Sequence, residues 1–118
     1  MELPDFERLI NDAIAMVPPH IRDKMKNVAF VVDDTSLGNL LGLYHGIPLP
    51  RRGAGYSGVL PDKITIFQRT IEGVAGANSE RVRRLVTETV HHEIAHYFGF
   101  NENKVRTWEH RRRQRQIK

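Results

Sequence analysis

His92, Glu93 and His96 stand in a His-Glu-x-x-His spacing, inside a stretch whose apolar residues recur at helical intervals. Side chains four residues apart on a helix differ by about 40° in azimuth and about 6 Å in rise, so both imidazoles can converge on one divalent cation. Glu93 lies about 100° further round the helix than His92. That offset turns its carboxylate toward a water on the cation rather than toward the cation itself. One helix would thus supply two neutral nitrogen ligands and a general base, the assembly found in zinc-dependent hydrolases. The bland alternative for His92 and His96 is a pair of partly buried helix histidines hydrogen-bonded to backbone.

Two further positions extend the pattern. Gly99 follows His92 by seven residues and Glu102 by ten. In the metzincin pattern the third ligand stands at that last offset, after a glycine turn. Here a carboxylate occupies it. Two imidazoles and one carboxylate are a common catalytic zinc set that leaves a fourth position for water. Zinc lowers the pKa of such a water, and Glu93 would accept its proton and later deliver it to a leaving amine. Glu102 is otherwise a first-turn glutamate that favours the helix dipole. The chain has no cysteine, so a thiolate site and a disulfide framework are both excluded.

Other polar residues carry less. His91 points about 100° away from His92 and is expected at the surface or supporting a ligand. His20, His45 and His110 have no spaced partner. Tyr44 and Tyr56 could donate a hydrogen bond to a developing oxyanion, although packing is the simpler role. Trp108 suits an anchor for a last helix.

The elements that must position these groups follow from periodicity. Phe6, Leu9, Ile10, Ala13, Ile14 and Val17 fall at helical spacing before Pro18 and Pro19 end the helix. Ile21 to Lys26 adds a short turn. Val28 to Val32 is a continuous β-branched run and reads as a buried strand. Leu40 to Tyr44 is a second strand, weakened by Gly42. Ile47 to Asp62 is a long irregular loop rich in Pro and Gly. Ile64 to Phe67 is a brief strand, expected at a sheet edge because a proline-containing turn leads into it. One helical turn is expected over Ile71 to Ala75, then a long helix capped by Ser79 with Glu80 in its first turn. Val82, Val86, Val90 and Ile94 form an i,i+4 ladder for the core, with Leu85, Thr89, His92 and His96 on the adjoining stripe. Gly99 should end this helix in a left-handed conformation, and Asn101 should cap a last helix through Trp108.

A chain of 118 residues makes one small domain without room for a separate substrate-binding domain, so an active cleft is shallow or shared. The acidic N-terminus has no long apolar run. No signal peptide, no membrane span and a cytoplasmic location are expected. The net charge is +4, but residues 101–118 hold seven Lys or Arg against two Glu, leaving residues 1–100 at −1. Such a body lacks the broad basic face of a nucleic-acid domain. The segment 110–118 contains no aromatic residue for stacking on single strands. It reads as a solvated basic tail, or as a weak, salt-sensitive contact with an acidic partner such as nucleic acid.

Several blocks also resemble the bacterial minimal zincin-like metallopeptidase family from end to end. They are Val31-Val32-Asp33-Asp34, Leu41-Gly42-Leu43-Tyr44, Gly46-Ile47-Pro48-Leu49, Gly55-Tyr56-Ser57-Gly58-Val59-Leu60-Pro61-Asp62, Ile64-Thr65-Ile66-Phe67 and His92-Glu93-Ile94-Ala95-His96-Tyr97-Phe98-Gly99. The resemblance implies an α+β fold, a compact zincin-like core whose small mixed sheet packs on the metal-binding helix. It implies zinc (Zn2+) held by His92, His96 and Glu102, with Glu93 catalytic. Residues 1–109 would form this domain and 110–118 the tail. The tail departs from the family pattern, and no methionine turn follows Glu102, which sets the chain apart from true metzincins.

Three functions are thereby in play. The first is a zinc-dependent peptidase that binds an extended peptide or protein substrate alongside an edge strand, with Ile64 to Phe67 the candidate edge. The second is a non-catalytic binding protein that zinc merely stabilises, through a closed ligand set. The third is a metal-dependent ribonuclease like the single-domain ribosomal RNA maturation proteins. Those use three histidines at these offsets, a pattern from which Glu93 and Glu102 depart.

Overall fold

The computed structural model describes residues 1–35, 38–52 and 61–100. Helix α1 spans Leu3–Ala15, with a proline in its first turn, where a missing N–H costs no helical bond. It buries Phe6, Leu9, Ile10 and Ala13 along one face. A single turn, α2 (Pro19–Arg22), follows the prolines. Strands β1 (Val28–Asp33), β2 (Gly42–His45) and β3 (Asp62–Phe67) form the sheet. Helix α3 (Gln68–Ala75) leaves β3 directly, and α4 (Ser79–Tyr97) carries the His-Glu-x-x-His residues. No helix among the described residues is long and apolar enough to cross a membrane.

The sheet order is β1-β3-β2, with β1 parallel and β2 antiparallel to β3. Among the described residues, this mixed sheet with four helices makes an α+β fold. The expected positions of two strands are exchanged. Ile64 to Phe67 is central, not an edge: β3 hydrogen-bonds on both sides, and only Lys63 of its six residues is exposed. Pro61 precedes the first paired residue, so its missing N–H removes no ladder bond. The run Val28 to Val32 is an edge strand instead of a fully buried one. Val28, Phe30 and Val32 pack against the core, while Val31 on the opposite face is 37% exposed.

Two helix starts also differ from expectation. Helix α3 has two turns instead of one, because Gln68 reaches Glu72 one turn on with a 2.6 Å hydrogen bond, while Ile71 and Ala75 face the core. Asn78 caps α4 in place of Ser79, its Oδ1 accepting the Arg81 amide at 3.1 Å. Such a cap contributes about 1 kcal/mol. Burial of the ladder Val82, Val86, Val90 and Ile94, all at 5% exposure or less, contributes about 1.5–3 kcal/mol per residue. Packing therefore decides where α4 lies. That ladder meets Ile64 and Ile66 of the sheet and the buried face of α1 in one cluster. The last helix expected from Asn101, Trp108, and the basic tail all fall outside the described residues.

Candidate metal centre

With the ladder committed to the core, the neighbouring stripe of α4 faces β2. His92 and His96 lie one turn apart, ring centroids separated by 4.9 Å at an interplanar angle of 70°, both half-buried. Glu93 is 7% exposed and Thr89 5%. The backbone of β2 lies directly on this stripe at Gly42. A Cβ there would come within 2.7 Å of Thr89 Cγ2 and 3.1 Å of Glu93 Cγ. Gly42, which weakens the strand in isolation, is the residue that lets strand and helix approach this closely.

Two hollows flank that contact. One, of about 310 Å3, is lined by Leu40, Leu85, Thr89 and His92; the other, of about 400 Å3, by Tyr44, Pro48, Arg51 and His96. Leu40, Gly42 and Glu93 line both. Each histidine thus faces its own hollow, with the carboxylate between them.

The end of α4 orients His96. Gly99 adopts φ +89° as expected, and its amide donates to His96 O at 2.9 Å while the Phe100 amide donates to Ala95 O at 3.0 Å. These two bonds form a Schellman motif. The same turn brings the Phe100 carbonyl to 2.9 Å from His96 Nδ1. A carbonyl only accepts, so Nδ1 carries a proton, and the tautomer this bond favours in a neutral ring leaves the lone pair on Nε2. That tautomer is the one a metal-ligating histidine needs, held by a backbone acceptor on its other nitrogen.

His91 is not a surface residue. It is 7% exposed, and its Nε2–H donates to Ala13 O of α1 at 2.8 Å. Its direction, away from His92, leads into the neighbouring helix α1 instead of to solvent. His20 and His45 are exposed.

Tyr44 does pack, edge-on to Tyr97 with centroids 6.2 Å apart, and its hydroxyl donates to Asp62 Oδ2 at 2.5 Å. Burial, then the hydrogen bond and the charge of Asp62, push the phenol well above its usual pKa. That proton is committed to Asp62 rather than to a reacting oxygen.

Arg52 and Asp62 were not singled out as functional by motif. They form a buried ion pair, 8% and 4% exposed, at the start of β3. The available signal was an arginine pair inside a Gly- and Pro-rich loop that ends on an aspartate.

Zinc, where it is implied, has a fitting pair of nitrogen donors here: same helix, one turn apart, with the tautomer of one set by a backbone carbonyl. Among the described residues no three His, Asp or Glu side chains gather at one point. Glu102, expected as the third ligand, lies outside them, as do Tyr56 and His110. No curated protein matches the chain. A family model described as zincin-like metallopeptidase matches residues 22–111, a span that includes all three strands and the whole of α4. The chain belongs to the zincin-like metallopeptidase family.

Proposed function

We propose that this chain is a zinc-dependent peptidase in which His92, His96 and Glu102 hold the metal and Glu93 is the general base. The observation that carries this reading is the placement of Glu93: nearly buried, between two histidine-lined hollows, against the backbone of an edge strand. The strand in question is β2, which replaces Ile64 to Phe67 as the edge for an extended peptide or protein substrate.

Bound zinc would supply Lewis acidity, acidifying water and polarising a carbonyl. The chain's own groups do the rest. Glu93 takes the proton of the attacking water and returns it to the amine nitrogen that departs. Phe100 O keeps His96 in the ligating tautomer. The β2 edge aligns the peptide over Glu93, and the hollows on either side receive its side chains.

The test is cleavage of a peptide library by zinc-loaded protein, wild type against Glu93→Gln. The variant should keep its zinc and lose about 10²- to 10⁴-fold in kcat. Equal activity in the variant removes Glu93 from the mechanism. Zinc held by four protein groups with no cleavage assigns the metal to stability alone.

A further inference from the structure

Arg52 bonds to its own segment, to the start of β3 and to the end of α4. Its Nε donates to Ile47 O at 2.9 Å, its Nη1 to Tyr97 Oη at 3.3 Å, and its Nη2 to Asp62. The guanidinium also lies over the Tyr97 ring, 4.9 Å from the centroid. Tyr97 directly follows His96, is fully buried, and accepts the Lys26 amide at 3.0 Å. The same carboxylate oxygen, Asp62 Oδ2, also accepts from the Tyr44 hydroxyl of β2. One cation thus ties β2, β3, the end of α4 and the segment 47–52 together.

That segment forms a wall of the cleft. Its 3-10 turn, Leu49–Arg51, closes with Arg51 N–H to Pro48 O at 2.9 Å and Arg52 N–H to Leu49 O at 3.2 Å. Pro48 and Arg51 line the hollow beside His96, and Pro50 packs so tightly on Gly99 that a Cβ there would sit 2.7 Å from its Cγ. Pro50 is therefore braced on the turn that orients His96.

We propose that Arg52 is a positioning residue. It fixes the Pro48–Arg51 wall against the end of the metal helix, and so governs how tightly a peptide is held beside His96, without holding the metal itself. This rests on the cleft being the substrate site. A planar fork is needed, because three acceptors on Asp62, Ile47 and Tyr97 are served at once; a lysine would keep the charge opposite Asp62 but could not span them.

The experiment compares the zinc-loaded full chain with Arg52→Lys and Arg52→Met. Three quantities are read: zinc affinity by chelator competition, amide hydrogen exchange over residues 49–52, and kcat and KM on a peptide the wild type cleaves. Arg52→Lys should melt as one cooperative unit and keep its zinc affinity within about twofold. Exchange at the Arg51 and Arg52 amides should quicken about tenfold, and KM should rise about tenfold with kcat within about threefold. Arg52→Met, which strands a buried Asp62, should show the same exchange and KM changes in larger measure if it folds.

Unchanged exchange and KM in Arg52→Lys overturn the proposal. So does a fall in kcat at constant KM, which would place Arg52 in the chemical step, or loss of the fold in Arg52→Lys, which would make it a scaffold residue only. If the wild type cleaves no peptide, the peptidase reading fails by itself, and the exchange result still decides whether Arg52 holds the wall.

Discussion

The Phe100 carbonyl accepts a hydrogen bond from His96 Nδ1 at 2.9 Å, and the amide of the same Phe100 closes the helix cap on Ala95 at 3.0 Å. One residue therefore both ends the helix and sets the proton on an expected metal ligand. Both bonds depend on the left-handed backbone at Gly99.

Replacing Gly99 by alanine strains that backbone and drives a methyl into Pro50. The expected cost is about 1–3 kcal/mol in denaturant unfolding. Zinc affinity should fall about 10- to 100-fold, as for other groups that orient a ligand. An unchanged affinity in a folded Gly99→Ala protein would detach the cap from the metal site.

At Gly42 the conflict is with the stripe of α4 that carries Thr89 and Glu93. A methyl there meets Thr89 Cγ2 and then Glu93 Cγ, so Gly42→Ala should cost about 1–3 kcal/mol and displace the Glu93 side chain, the base of the proposed mechanism. Zinc should stay bound while turnover drops. Adding Thr89→Ser, which removes the closer of the two clashing atoms, should recover part of both losses in a double-mutant cycle. No recovery would mean that the strand moves instead of the side chain.

His91 should separate structure from metal binding. His91→Ala removes the buried imidazole donor from the Ala13 carbonyl, which keeps only the Met16 amide at 3.3 Å among the bonds described, and opens a void, for about 2–4 kcal/mol of lost stability. Chelator competition should give a zinc affinity within about twofold of wild type. A tenfold weaker affinity would instead show that the α1 contact places the ligands.

The raised pKa of Tyr44 gives the fold a pH dependence of defined sign. Its phenol keeps its proton in the folded chain at a pH where the unfolded chain, with the usual value of 10.0, releases it. The folded state then binds more protons, so this stability is complete below about pH 10 and is lost as pH rises further. Unfolding midpoints measured upward from neutral pH should fall more steeply above about pH 10 in the wild type than in Tyr44→Phe. Parallel curves would sink the assignment.

What was legible in advance was local. The ladder from Val82 to Ile94, the stripe carrying His92 and His96, and the glycine stop at Gly99 all follow from spacings within a few turns of one helix. Sheet order was not, since Val28 to Val32 and Ile64 to Phe67 are both short apolar runs and nothing in either composition says how many neighbours it will have. Pairing is decided by partners tens of residues away. Gly42 read as a weak point in its strand because the helix that needs its small size comes almost fifty residues later. Arg52 was silent for the same reason: its partners Ile47, Asp62 and Tyr97 converge only in three dimensions. Glu102, on which the third ligand depends, lies beyond the described residues.

Family similarity begins at residue 22, whereas α1 ends at Ala15. Yet Phe6, Leu9 and Ile10 share a single apolar cluster with Val86 and Val90, directly behind the histidine stripe, and Ala13 receives His91. A boundary drawn by likeness alone would cut through the middle of the hydrophobic interior. Whoever trims this protein to its matched segment removes the backing plate of α4, so a truncation meant to keep that helix packed should start upstream of residue 22.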